Sequence, residues 1–240
     1  INGGAIYSMA YPNLIDTCNF TDNTADETAG AVYLGSDNNT VKNSIFTNNS
    51  ANRGGAIYSD VNDELYVLNS KFNYNSAQEY GGAIMADDYA NIVNSTFNSN
   101  NATTGGAVYS DSEADFSNST FLNNKATNGC AITVNDGTIV NSTFTKNFAN
   151  DTGGAIYVSG DLNLDKIYFN NNTAVNESAN IYSDDAHVAM AMKMTISMTN
   201  ITFGNTLTVK VTMPKDITKG TLNVYVNGKA YNTELTSNQA

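Results

Sequence analysis

The chain has 240 residues, enough for one or two domains with a buried core, but only 14% of them are charged, and Asn, Ser, Thr and Gly dominate the composition. A formal net charge of -12 with 11 basic residues argues against nucleic acid or an anionic membrane surface as the main partner. No run of about 18 apolar residues occurs, so we predict no transmembrane segment in this fragment. The chain opens on Ile1-Asn2-Gly3, within a repeat and without an initiator Met, so we expect it to be part of a longer protein.

A pentapeptide of the type Gly54-Gly55-Ala56-Ile57-Tyr58 recurs eight times along the chain. Its central position is held in order by Ala5, Ala31, Ala56, Ala83, Ala107, Ala131, Ala155 and, in a degenerate copy, Asn180. Successive copies are 24 to 27 residues apart. A nearly fixed period of this length is typical of a stacked array of one structural unit.

A second signature, Phe-x-x-Asn-x-Ala, alternates with the first. Its aromatic position is held by Phe20, Phe46, Phe72, Phe97, Phe121, Phe144 and Phe169. Five residues before each Phe lies a third apolar column, held by Ile15, Val41, Val67, Ile92, Phe116, Ile139 and Leu164. Short apolar segments bounded by Gly, Asn and Asp predict strands rather than helices. Three strands per period of about 25 residues predict an all-β chain coiled as a parallel β-helix, with seven to eight coils over residues 1–187.

The columns also predict which side chains face the core. If Ile57 and its equivalents point inwards, strand alternation places Ala56 and Tyr58 on the opposite face. We expect the stacked Phe column to be the largest part of the core. Two Asn columns, three residues before and three residues after each Phe, are predicted to mark the corners and to form amide ladders between coils.

The repeat pattern ends before residue 188, and 188–240 is predicted to be an incomplete immunoglobulin-like β-domain. Apolar and polar residues alternate from Val188 to Met198, which predicts a half-buried strand, and another strand is expected at Thr206 to Met213. Thr221 to Val226 leads into Asn227-Gly228, which is a strong hairpin signal. A complete sandwich needs roughly 100 residues, so this segment can supply only part of one.

The paired signatures Gly-Gly-Ala-Ile and Phe-x-x-Asn resemble the repeats of the chlamydial polymorphic outer-membrane proteins. With its repeat spacing and the segment that follows, the chain is more similar still to adhesin-like surface proteins of methanogenic archaea. The resemblance covers about Ile1 to Asp185 and implies a right-handed parallel β-helix of the pectin-lyase type, displayed outside the cell and used in attachment. From about Thr195 the chain resembles an immunoglobulin-like module that spaces such proteins from the envelope. Anchoring in an outer membrane or in a cell wall stays open.

The fifth position of the pentapeptide supplies a candidate ligand-contact strip. It is held by Tyr7, Tyr33, Tyr58, Tyr109, Tyr157 and Tyr182. If this column faces outwards, it forms a flat aromatic strip that suits sugar or protein ligands. The alternative is that Tyr occupies these positions only because it favours exposed strands.

A column of carboxylates suggests an enzyme as the rival interpretation. It lies four residues after the central position of the pentapeptide, at Asp60, Asp87, Asp111 and Asp184. Such residues could pair for hydrolysis or bind Ca²⁺, but a catalytic pair would belong to one coil rather than recur, and repeated corner carboxylates are usually solvated. A lyase needs a basic residue to take a proton. The only Arg, Arg53, and the only His, His187, are both predicted to be structural or solvent-facing.

Two further residue classes bear on location. Cys18 and Cys130 belong to coils about 20 Å apart, too far for a disulfide, and are predicted to be small buried residues. Eleven Asn-x-Ser/Thr sequons, such as Asn94-Ser95-Thr96, fit a secreted glycoprotein, although a chain this rich in Asn, Ser and Thr contains many by chance.

The sequence therefore predicts a non-enzymatic, adhesin-like protein at the cell surface or envelope. Its β-helical rod would bind surface glycans or proteins of other cells, with no catalytic residue, cofactor or metal assigned. Two alternatives stay open, a carbohydrate-active enzyme of the lyase or glycosidase type and a purely structural stalk.

Overall fold

The computed structural model describes residues 2–60, 64–184, 187–191, 219–226 and 229–236. Within these ranges the chain forms 30 β-strands and no α-helix. This part of the chain accordingly offers no helix that could cross a bilayer. The strands follow the period of the sequence repeats and coil the chain into the predicted parallel β-helix.

Successive coils build three parallel sheets, named here in chain order the Tyr sheet, the middle sheet and the Phe sheet. The Tyr sheet contains, in stacking order, Ile6–Ser8, Val32–Leu34, Ile57–Ser59, Ile84–Ala86, Val108–Ser110, Ile132–Val134, Ile156–Val158 and Ile181–Ser183. The middle sheet contains Leu14–Asp16, Asn39–Lys42, Leu65–Leu68, Ala90–Val93, Glu113–Ser117, Asp136–Val140, Leu162–Asp165 and Val188–Ala191. The Phe sheet contains Asn19–Thr21, Ile45–Thr47, Lys71–Asn73, Thr96–Asn98, Thr120–Leu122, Thr143–Thr145 and Tyr168–Asn170.

A fourth, shorter side links each Phe strand to the next Tyr strand, and it is named the Ala side after the Ala of the second signature. Its strands are Ser50–Arg53 and Ser76–Tyr80 in one pair, and Lys125–Ala126, Phe148–Ala149 and Thr173–Ala174 in a second small sheet. Isolated bridges at Asn101 connect the two groups. Equivalent residues stack directly, so Phe97 is paired with both Phe72 and Phe121.

The Phe column lies inside the rod, as predicted. Its fully buried members are Phe46, Phe72, Phe97, Phe121 and Phe144. Neighbouring rings among these five are nearly parallel, with centroids 4.8 to 4.9 Å apart. Because this distance matches the spacing of hydrogen-bonded strands, each ring stacks on the ring of the next coil without straining the sheet. Ile57 and Ile92 belong to the same core, which confirms the inward assignment of their columns.

The predicted position of the pentapeptide Ala is wrong. Ala56 is fully buried and lies in the same core cluster as Ile57, rather than on the outer face with Tyr58. The strand begins only at Ile57, and the preceding Gly55-Ala56 is a bend, so strand alternation cannot be extended backwards through it.

Three corners in each complete coil use left-handed backbone conformations. The corner before the Phe sheet has positive φ at Thr17, Asn43, Asn69, Asn94, Asn118, Asn141 and Lys166. The corner after it has positive φ at Asp22, Asn48, Tyr74, Ser99, Asn123, Lys146 and Asn171. At the third corner the first Gly of the pentapeptide has this conformation, for example Gly54 with φ 61°. Asn and Gly tolerate positive φ best, which explains their abundance and confirms that the Asn column before each Phe marks a corner.

The Asn column after each Phe is a buried ladder. Asn49, for example, donates from Nδ2 to Asn75 Oδ1 at 2.9 Å and to the carbonyl oxygen of Phe20 at 3.0 Å. The same side-chain link runs without a break through Asn23, Asn49, Asn75, Asn100, Asn124, Asn147 and Asn172. The predicted amide ladder is therefore confirmed, and it lies inside the rod.

A second buried ladder was missed by the sequence analysis. It contains Ser44, Ser70, Ser95, Ser119 and Ser142, which directly follow the corner Asn residues. Each hydroxyl accepts from the backbone of the coil before and donates within its own coil, as when Ser70 Oγ accepts from Ser44 N and donates to Leu68 O. Cys18 occupies this column in the first described coil and is exposed, so its predicted burial is wrong. Cys130 is buried, and both thiols are free.

The last described strand of the solenoid lies beyond the boundary predicted after His187, because Val188–Ala191 pairs in parallel with Leu162–Asp165. Farther along, Lys219–Val226 and Lys229–Thr236 form the predicted antiparallel hairpin. The strand expected at Thr206 to Met213 lies outside the described residues. The immunoglobulin-like fold of this segment stays a prediction.

Candidate ligand-contact surface

The candidate Tyr side chains stack along the outer face of the Tyr sheet. Tyr33 pairs in register with Tyr58, and their ring centroids are 5.5 Å apart with an interplanar angle of 7°. Tyr7 stacks on Tyr33 at 4.6 Å, and Tyr157 stacks on Tyr182 at 5.2 Å. The outer face of this sheet therefore carries two aromatic stacks.

Exposure along the column is uneven. Tyr7 is 55% exposed, whereas Tyr33 and Tyr58 are only 6% and 7% exposed. Tyr109, Tyr157 and Tyr182 are partly exposed. Burial of the inner rings follows from stacking on neighbours above and below. The column is therefore an uneven surface with accessible rings in some coils only, rather than the flat strip that the sequence predicted.

Two positions of the column are not aromatic. Met85 extends the stack and is buried with Ala29, Tyr33 and Tyr58 in a small cluster outside the main core. Thr133 lies between the coils of Tyr109 and Tyr157, and its buried hydroxyl makes no hydrogen bond within the described structure.

Tyr80 joins this surface although it belongs to no column. The Ala side has a register shift between Ala77 and Tyr80, and the shift brings the Tyr80 ring to 4.7 Å from that of Tyr109. Arg53 lies over the same ring at 5.6 Å and pairs with Glu79 at 2.8 Å. The sequence signal was the step of 27 residues before Ala83, which is the longest in the array.

The two basic residues weighed for catalysis are both at the surface. Arg53 makes the exposed ion pair with Glu79. The side chain of His187 is 94% exposed and its Nδ1 lies 3.3 Å from Asp161. Their predicted structural or solvent-facing positions are confirmed.

The Asp column lies beside the Tyr column and is hydrogen-bonded to it. Tyr33 and Tyr58 donate their hydroxyl protons to Asp60 and Asp87, each one coil farther on. The last pair repeats this arrangement at longer range, with Tyr157 donating to Asp184 at 3.4 Å. Tyr109 differs, because it donates to Asp111 of its own coil at 3.0 Å.

Burial controls the ionisation of these groups. It raises the pKa of Tyr58, and the hydrogen bond and negative charge of Asp87 raise it further. Burial likewise raises the pKa of Asp87 above its usual value, against the lowering effect of the Tyr58 hydroxyl and with support from the charges of Asp60 and Asp111. A Tyr whose pKa is raised stays protonated at neutral pH, so it can remain a donor to the carboxylate.

Each Asp of the column accepts a hydrogen bond from a Tyr hydroxyl of the neighbouring column. Among the described residues, no three His, Cys, Asp or Glu side chains gather closely enough to hold a metal ion. The arrangement suits hydrogen bonding with a polar partner along the rod, since a column of carboxylates runs beside the column of Tyr rings.

Comparison with known protein families identifies the family of the coiled region. A family model described as a right-handed β-helix region matches residues 5–174, more than half of the chain. No curated protein and no solved structure matches the chain. The predicted right hand of the coil is thereby confirmed, while the resemblance to chlamydial and archaeal surface proteins stays a prediction.

Proposed function

The chain belongs to the right-handed β-helix family, and from that premise we propose that it is a non-enzymatic, adhesin-like rod displayed at the cell surface. Its partners would be glycans or proteins on other cells. The proposal rests on the outer face of the Tyr sheet, where a hydrogen-bonded Tyr–Asp pair recurs along the rod.

The observation that carries the proposal is the recurrence of the Tyr–Asp pair. Tyr33–Asp60, Tyr58–Asp87 and Tyr157–Asp184 are the same hydrogen-bonded unit at different heights along the rod. Repeated weak sites on a rigid scaffold gain strength when a surface presents many copies of a ligand, because each further contact is intramolecular. Repetition of this kind suits attachment to a cell better than it suits recognition of one small molecule.

The experiment uses the exposed rings. The purified chain would be coupled to fluorescent beads and applied to arrays printed with glycans and with extracellular-matrix proteins. We expect saturable binding to at least one feature and a loss of at least about tenfold in Tyr109→Ser/Tyr157→Ser beads, since multivalent binding amplifies the loss of single contacts.

The matched control is Tyr74→Ser/Tyr168→Ser, which removes two tyrosines that are 59% and 60% exposed outside the Tyr sheet. Circular dichroism would first establish that both variants are folded. Absence of binding to every printed feature, or equal losses in the two double variants, would overturn the proposal.

One observation favours a second candidate, a carbohydrate-active enzyme. Asp87 is a partly buried carboxyl with a raised pKa and with Asp60 and Asp111 close enough to affect it. Raising the pKa of one carboxyl beside others is how glycosidases keep a general acid protonated. Incubation with acidic polysaccharides, followed by assays for unsaturated products and reducing ends, tests this directly. Turnover that Asp87→Asn abolishes and Asp16→Asn, at an exposed position of the middle sheet, preserves would establish the enzyme and overturn the adhesin.

The proposed location is extracellular. Sequons whose Asn side chains are exposed at corners, such as Asn94, Asn118 and Asn141, are compatible with a secreted glycoprotein. Protease treatment of intact cells that make the full-length protein would remove a surface-displayed rod, and complete protection of the rod would contradict this location.

A further inference from the structure

A groove runs along the Ala side, on a different side of the rod from the Tyr sheet. Its volume is about 770 Å³. The floor is formed by Ala25, Ala51, Ala77, Ala102 and Ala126, which are each 6% exposed. Six coils contribute to its length, so with five steps of about 4.8 Å it is about 24 Å long.

The walls are polar but carry little charge. One wall is formed by Thr24, Ser50, Ser76, Asn101, Lys125 and Phe148. The other is formed by Asp26, Gln78, Thr103, Thr127 and Asn150. Only Asp26 and Lys125 are charged, and they have opposite signs, so the lining suits a neutral ligand with many hydroxyl or amide groups.

The backbone of the groove is already used within the rod. Ser76 N donates to Asn49 O, Ala77 N to Asn101 O, and Ala102 N to Lys125 O. A peptide therefore finds no free strand edge here and cannot bind by adding a strand. Its residues would also repeat at about 3.3 Å, out of step with wall side chains that repeat at about 4.8 Å. A pyranose ring with its glycosidic oxygen is longer than an amino-acid residue and comparable with one coil.

An aromatic ring ends one wall. Phe148 stands in the same column as Ser76 and Asn101 but is 39% exposed, whereas the five central members of the stacked Phe column are fully buried. A flat apolar face beside hydroxyl-binding side chains is what a sugar ring requires, because its C–H face is apolar and its edge is polar.

We propose that the groove on the Ala side binds a linear, neutral polysaccharide segment of about one sugar per coil, with Phe148 stacking on a terminal ring. The inference rests on the proposed attachment role and adds a second site to it. The hydroxyl and amide walls recognise the ring substituents, and the small Ala side chains allow the rings to approach the floor.

Fluorescence polarisation tests the site. The probes are labelled linear hexasaccharides of glucose, mannose, galactose or xylose, with a polygalacturonate hexasaccharide as the acidic comparison and an extended Ser/Thr peptide as the peptide comparison. We expect saturable binding of at least one neutral probe, a loss of about tenfold in Phe148→Ala, and complete loss in Ser76→Trp, which fills the groove.

The control variants separate this proposal from the previous one. Tyr168→Ala removes an exposed ring of the Phe sheet and should bind the neutral probe as the wild type does, and Tyr109→Ser/Tyr157→Ser shows whether the probe binds on the Tyr sheet instead. If binding is lost in the Tyr double variant and kept in Phe148→Ala and Ser76→Trp, the attachment role stands and the groove proposal is overturned. Preference for the acidic probe or the peptide, or no binding of any neutral probe, also overturns the groove proposal. The bead arrays test the attachment role independently.

Discussion

A single buried amide in the Asn ladder makes four hydrogen bonds. Asn100 donates from Nδ2 to Phe72 O and Asn124 Oδ1, and its Oδ1 accepts from the backbone and side-chain nitrogens of Asn75. Asn100→Ala removes all four bonds and takes away the acceptor of the buried backbone N–H of Asn75, and an unsatisfied buried group costs about 1–3 kcal/mol. We expect the free energy of unfolding to fall by at least about 2 kcal/mol, measured by chemical denaturation.

The control for the ladder is Asn73→Ala. Asn73 is partly exposed at the end of its Phe-sheet strand, so its replacement should change the free energy of unfolding by less than about 0.5 kcal/mol. Similar losses in both variants would mean that the ladder adds no stability beyond that of a surface Asn.

The partly buried carboxyl of Asp87 makes stability depend on pH. Its folded pKa is raised, chiefly by burial, above the value of 3.8 taken for the unfolded chain. The folded chain then holds this proton more tightly, so the free energy of unfolding falls as pH rises from about 3.8 through the higher folded pKa. Asp87→Asn removes this titration and should flatten that decline, measured by thermal unfolding between about pH 3.5 and about pH 7. Identical pH profiles for variant and wild type would contradict the assignment.

At the scale of the strand, the Phe sheet is predicted to supply the largest single packing contribution. Phe97 is fully buried between two stacked rings, so Phe97→Ala removes a ring and leaves a cavity in a rod that cannot collapse without breaking its register. We expect a loss of about 3–5 kcal/mol in the free energy of unfolding, measured by chemical denaturation. Tyr168→Ala, on the exposed face of the same sheet, should cost far less, and an effect of Phe97→Ala below about 1 kcal/mol would contradict the core assignment.

Two substitutions at the corner before the Tyr sheet test the effect of positive φ, because one should lower the free energy of unfolding and the other should raise it. Gly81 has φ 64°, and a Cβ at this position would overlap with the carbonyl oxygen of Ile84. Gly81→Ala should therefore lower the free energy of unfolding by more than about 1 kcal/mol. Ser178 has φ 54° at the equivalent corner of the degenerate copy, so Ser178→Gly should raise it by up to about 1 kcal/mol. Thermal unfolding of the two variants measures both, and a change of the same sign in each would contradict the corner argument.

Much of this fold could be predicted because each coil repeats the same short strands and the same corners. A column that is apolar in every copy, such as that of Ile57, has one consistent explanation, and so do Asn residues that recur at turns. The position of Ala56 could not be predicted from alternation, because the corner that interrupts the strand depends on positive φ at Gly54. The Ser ladder was not predicted because, in the sequence, Ser95 looks like an ordinary turn residue. Only the stacked coils show that its hydroxyl accepts a hydrogen bond from the backbone N–H of Ser70.

The candidate surface was predicted less well than the fold. The Tyr column was recognised, but its burial depends on stacking between coils, which the period alone does not determine. Tyr80 was missed because it reaches Tyr109 through an irregular step in a single coil. The groove was missed because its floor is the Ala of a structural signature, and concavity belongs to the stacked coils rather than to any one of them.

At the scale of the whole molecule, the rod is a one-dimensional stack. Each strand pairs only with equivalents in adjacent coils, and the Asn and Ser ladders bond in the same direction. Stability is then a sum over neighbouring interfaces, and a coil at either end of the array has fewer of them than a coil in the middle.

This arrangement predicts that amide exchange follows position along the rod. Opening a central coil disrupts two interfaces, whereas opening an end coil disrupts one, so protection should decrease from the middle outwards. Among the described coils, Phe97 is fully buried, while Phe20 and Ile181 in the first and last of them are each 8% exposed. Hydrogen exchange read by mass spectrometry should show Thr96–Asn98 exchanging at least about tenfold more slowly than Asn19–Thr21 and Ile181–Ser183. Equal protection in all three strands would instead require the array to open as one cooperative unit, with interfaces too strong for the end coils to separate on their own.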